Sequence, residues 1–75
     1  MNTMHQPRDY EIRIWYSADP GDQCYIAQVA EWPTITACGE SREEALREIQ
    51  TALTLALGSA ADAGVAPPEP RLVHA

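Results

Sequence analysis

The sequence predicts an α+β domain, with an antiparallel sheet of three to four strands and one helix packed on a face, in the order β-β-β-α-β. Three observations carry this. Residues 9–17 alternate apolar and polar side chains. A second alternating run, 24–30, follows across Asp19-Pro20-Gly21-Asp22. From Ser41 onward, apolar residues recur every three or four positions.

The first strand is expected over Asp9–Ser17, with Tyr10, Ile12, Ile14 and Tyr16 on one face and Glu11, Arg13 and Trp15 on the other. Trp15 is then either a cross-strand packing residue or a contact for another chain, and packing is the preferred reading. In the turn that follows, Pro20 presets φ and Gly21 is expected to supply a positive φ. The second strand, Cys24–Ala30, places Tyr25, Ala27 and Val29 on one face and Cys24, Ile26 and Gln28 on the other. Pro33 cannot donate to a ladder and interrupts the sheet. Thr34–Cys38 is the expected third strand.

Helix initiation is written in GESREEALREI. Ser41 is an N-cap, and Glu44, three residues on, completes a capping box in which its carboxylate reaches back to the Ser41 N–H. Glu40, Glu43 and Glu44 place negative charge at the positive end of the helix dipole. Gly39 is expected to let the chain turn sharply out of strand three. The stripe Ala45, Leu46, Ile49, Ala52, Leu53, Ala56 and Leu57 should face the sheet, leaving Leu55 exposed or at an oligomer contact. Gly58 offers one stop, but alanines follow and Gly64 is the better C-terminal glycine, so the helix is expected to continue to it. Pro67, Pro68 and Pro70 enforce extended backbone, and Leu72 and Val73 could add a short fourth strand.

The bulk properties narrow the function. At 75 residues the chain forms one domain, 9–75, behind a flexible segment 1–8. A chain this short buries only about 60% of its unfolded surface, so a homo-dimer or homo-tetramer is expected. Eleven acids against five Lys and Arg give a net charge of −6, which disfavours DNA or RNA binding and suits a basic partner. No segment is apolar over the roughly 18 residues needed to cross a membrane. The start MNTMHQPRDY has no apolar core, so the expected location is cytoplasmic. Cys24 and Cys38 fit no zinc spacing and read as free thiols of a reducing compartment, with a disulfide the lesser reading.

No nucleotide-binding, protease or hydrolase motif is present, and His5 and His74 lie at the chain ends, where catalytic groups are hard to position. Asp19 and Asp22 could join another carboxylate around a divalent metal, but aspartates favour turns for their own hydrogen bonding. The expectation is therefore a binding module with no catalytic residues, no metal and no cofactor.

The order of these elements resembles the HicB family of antitoxin-type proteins over about residues 9–70. The matching features are the early Y-x-I strand, the Asp/Gly turn before Tyr25-Ile26-Ala27, the proline before strand three, Gly39-Glu40-Ser41, Glu44-Ala45-Leu46 with Ile49, and Gly64 leading to Pro67-Pro68 and Pro70. Pro33-Thr34-Ile35 stands where the family has Pro-Gly-Cys, and Glu48 where it has asparagine. The resemblance implies a partial ribonuclease-H-like fold without nuclease activity. It also implies neutralisation of a small basic, RNA-cleaving HicA-like toxin. Many relatives carry a C-terminal DNA-binding domain that this chain lacks, so direct DNA binding is not expected. Asp19, Asp22, Glu31 and Trp32 are the expected partner-binding residues, because acids steer a basic partner and tryptophan anchors interfaces.

Overall fold

A computed structural model of the protein describes residues 6–70. Its strands are β1 (Ile12–Ser17), β2 (Cys24–Val29) and β3 (Thr36–Gly39), and its helix is α1 (Arg42–Ala63). The sheet is antiparallel, in the order β1-β2-β3. This is the predicted β-β-β-α arrangement. The proposed fourth strand at Leu72 and Val73 lies outside the described residues.

Register puts the alternating side chains where the pattern predicts. On the inner face Ile12 opposes Val29, Ile14 opposes Ala27, and Tyr16 opposes Tyr25. Ala37 and Gly39 of β3 continue the last two rows. Ala27 and Val29 are fully buried beneath Ala45, Ile49 and Leu53 of α1, with Tyr10 completing the core. Half-buried Ile12, Ile14, Tyr25, Trp32, Ile35, Ala37 and Leu57 pack around it.

Several local details depart from the sequence reading. β1 starts three residues later than expected, β2 ends one residue earlier, and β3 starts two residues later and runs on to Gly39. β1 begins at Ile12 because Pro7–Asp9 form a 3-10 turn, inside the segment expected to be flexible. Asp9 closes that turn by accepting from the Gln6 N–H at 2.8 Å. β3 starts at Thr36 because Pro33 and Thr34 are the corners of a turn in which the Ile35 N–H donates to the Trp32 carbonyl at 2.9 Å. In the β1–β2 turn the positive φ falls on Gln23, at 44°, and not on Gly21. Both the Asp22 and the Gln23 N–H groups donate to the Asp19 carbonyl, at 2.8 and 3.1 Å, so the chain winds through one helical turn before it reverses.

At the start of α1 the Glu44 N–H donates to Ser41 Oγ at 3.0 Å, as expected of the cap. The Glu44 carboxylate reaches one residue further than predicted and accepts from the Glu40 N–H at 2.7 Å. Gly39 does not have a positive φ. It is required instead by contact, since a Cβ there would lie 2.6 Å from the Ala45 nitrogen. The helix runs through Gly58 and ends at Gly64, whose φ of 71° is left-handed. Val65 N–H then donates to the Ala60 carbonyl at 2.8 Å, closing the end. Leu46 leaves the predicted stripe and is 37% exposed. It is turned about 100° from Ala45 on the helix, beyond the cover of the three described strands.

Tyr10 ties the two ends of the described chain together. Its side chain is buried, and its hydroxyl donates to the Pro68 carbonyl at 2.7 Å. Burial raises the phenol pKa above 10.0, helped by the charges of Glu69, Glu31 and Asp9. A raised phenol pKa stabilises the fold while the group is neutral. That contribution is whole below the unfolded value near 10 and is lost as pH rises through the folded value. Tyr10→Phe should therefore cost about 1 kcal/mol in urea unfolding at pH 7. The variant should also lose less stability than the parent between about pH 9 and 11. Parallel pH profiles for the two chains would contradict the assignment.

Candidate functional site

Among the described residues, the outer face of α1 is exposed, with Leu55 beside Arg47, Gln50, Thr51 and Thr54, and two further exposed regions lie at the sheet. The first is the end of the molecule at the β1–β2 turn. The second is the sheet face opposite α1.

At the turn end, Tyr16 and Tyr25 face each other across the ladder, with ring centroids 5.1 Å apart at 66°. Arg42, the first residue of α1, lies over the Tyr25 ring at 5.2 Å from its centroid. This chain of contacts joins the turn to the helix start. Asp19 and Asp22 are exposed on one side of it, and Glu40 and Glu43 on the other. Asp22 accepts from Ser17 Oγ at 3.0 Å, which fixes one carboxylate against β1. Tyr16 is 52% exposed, so the end presents an aromatic ring among carboxylates. The pairing of the two tyrosines follows from their equal distance from the turn. Arg42 gave no such signal, since an arginine at a helix start reads as a solvated charge.

The predicted contact residues do not form one patch. Asp19 and Asp22 sit at the turn, whereas Glu31 and Trp32 follow the opposite end of β2, roughly 17 Å away along the strand. Glu31 is half-buried, and its carboxylate accepts from the Glu11 N–H through both oxygens, at 3.1 and 3.2 Å. It extends the β1–β2 pairing beyond the strand ends. Trp32 is half-buried against the core. Both serve the fold.

On the opposite sheet face the rows are Arg13–Gln28–Thr36, Trp15–Ile26–Cys38 and Ser17–Cys24. The strands themselves carry no carboxylate on this face, but Glu11, just before β1, pairs there with Arg13 Nε at 3.4 Å. Among the described residues no helix or strand packs on it. Trp15 is 43% exposed and Cys38 is exposed, while Ile26 and Cys24 are half-buried between them. Both cysteines are free thiols. Partial burial raises the Cys24 pKa, and the neighbouring Cys38, a hydrogen bond with it, and Asp22 add to the shift.

Among the described residues no group of three or more His, Cys, Asp or Glu converges as a metal site. His5 and His74 lie outside the described residues. Among those residues, too, no helix is long and apolar enough to cross a membrane. No family model, curated protein or solved structure matches the chain.

The two halves of the predicted contact set should separate by experiment. Trp32→Ala should lower unfolding stability by about 2 kcal/mol, because a large ring leaves the core margin. Asp19→Asn should change it by less than about 0.5 kcal/mol, as expected of an exposed turn residue. Equal losses in the two variants would contradict this division.

Proposed function

We propose that the chain is a HicB-like antitoxin module that binds and neutralises a small basic, RNA-cleaving HicA-like toxin in the cytoplasm. The observation that supports this most directly is the acidic turn end. Asp19, Asp22, Glu40 and Glu43 are all exposed at the same end of the sheet as Tyr16, in a chain of net charge −6. Such a surface speeds encounter with a basic protein through long-range attraction, and an exposed aromatic ring supplies the apolar contact that holds it. The motif order around Gly39-Glu40-Ser41 and Glu44-Ala45-Leu46 supports the family reading and, with it, a partial ribonuclease-H-like fold. In this reading Asp19 and Asp22 meet the toxin, and the bound module blocks access to the toxin's RNA-cleaving site.

A second reading is a regulatory homo-oligomer without a toxin partner. The sheet face opposite α1 supports it, because its central row Trp15–Ile26–Cys38 is uncharged and the carboxylates at its margins are engaged, Glu11 with Arg13 and Asp22 with Ser17.

Tagged chain purified from its own host should carry a stoichiometric small basic protein whose RNA cleavage stops when this chain is added. A chain recovered only as its own discrete oligomer, with a basic RNA-cleaving protein expressed alongside, would favour the second reading. With the partner in hand, Asp19→Asn combined with Asp22→Asn should slow association several-fold at low salt and weaken its salt dependence. An unchanged rate and salt dependence would remove the turn end from the contact.

A further inference from the structure

Cys24 and Cys38 are placed together by strand register and not by sequence. Cys38 pairs across the ladder with Ile26, and Cys24 is two residues before Ile26 on the same face. The two thiols are therefore diagonal neighbours on adjacent strands. Cys38 is exposed and lies on β3, a strand of four residues, so one thiol of the pair is open to reagents, and among the described residues its strand is paired on one side.

We propose that Cys24 and Cys38 form a cross-strand dithiol that reacts with small-molecule disulfides of the glutathione class and closes reversibly to an intrachain disulfide. In the first step the exposed Cys38, as thiolate, attacks one sulfur of the small disulfide. A mixed disulfide forms, and the first small thiol leaves, taking the proton that Cys38 gave up. Cys24, as thiolate, then attacks Cys38 Sγ. The Cys24–Cys38 bond forms, and the second small thiol leaves with the Cys24 proton. The protein is oxidised by two electrons, and the small disulfide is reduced to two thiols.

The order of attack follows from the setting. Cys24 is half-buried, its pKa is raised, and Asp22 disfavours its thiolate, so it is the slower thiol toward a reagent from solution. Once Cys38 carries the mixed disulfide, Cys24 attacks at the high effective concentration of an adjacent group. Diagonal neighbours lie roughly 7–8 Å apart, just beyond the roughly 7 Å Cα separation that a disulfide spans, so closure must draw β3 toward β2. A bond of this type is reversible under mild thiol, unlike a structural staple.

The test uses the full chain in mixtures of reduced and oxidised glutathione, read by intact mass and by peptide mapping without reduction. The expected product has lost about 2 Da, the two thiol hydrogens, and joins Cys24 to Cys38 in at least tenfold excess over any stable glutathione adduct. Dithiothreitol should restore the starting mass. Cys24→Ser should stop at a stable adduct on Cys38, and Cys38→Ser should react at least tenfold more slowly. The wild-type mass does not depend on how the variants fold. A stable adduct on the wild-type chain, a disulfide between two chains, or no reaction would each overturn the proposal.

Discussion

The missing side chain of Gly39 decides how the helix sits. Its backbone lies against the first turn of α1, and an added Cβ would fall 2.6 Å from the Ala45 nitrogen and 2.9 Å from atoms of Glu44. The strand therefore meets the helix backbone to backbone, at a separation no other residue type permits. Two hydrogen bonds hold this approach from outside, one from the Glu44 N–H to Ser41 Oγ and one from the Glu40 N–H to the Glu44 carboxylate. With its first turn seated there, the helix carries Ile49 and Leu53 over Ala27 and Val29. Small residues at 27, 37 and 45 let the helix approach the sheet closely.

That seating divides the surface. One sheet face packs on the core, while the other carries exposed Trp15 and Cys38 beside half-buried Ile26 and Cys24. The same close approach brings the acidic start of α1 to the end of the sheet where the β1–β2 turn lies, and Arg42 reaches Tyr25 from there. The acids at 40 and 43 thus have two consequences. They complement the helix dipole, and they share an exposed end with Asp19 and Asp22. A charge pattern that reads as helix initiation alone becomes part of a wider electrostatic surface once the fold assembles.

Much of the fold was legible because its signals are local. Alternation placed the faces of β1 and β2, the Ser41 cap marked the helix start, and Gly64 marked its end. What escaped depends on contacts between elements. Gly39 looked like a turn glycine because close approach to Ala45 is invisible in a linear chain. Glu31 and Trp32 read as exposed, and both are half-buried, since an acid and an aromatic in a loop give no sign of a backbone donor or a core margin nearby. The Cys24–Cys38 pairing needed the β2–β3 register, which the turn at Pro33 and Thr34 sets. Leu46 fits the helical period yet falls outside the stripe, because period says nothing of how wide the opposing sheet is.

The central claim is that Gly39 is required by contact, and one substitution made at two places tests it. Urea unfolding would be compared for Gly39→Ala and Gly58→Ala. At Gly58 an added Cβ meets nothing within 4 Å inside a continuous helix. Alanine there should stabilise by up to about 1 kcal/mol through helix propensity. At Gly39 the same methyl should destabilise by about 1–3 kcal/mol, because the Ala45 backbone must move away. Opposite signs are the predicted result. A neutral or stabilising Gly39→Ala would contradict the account.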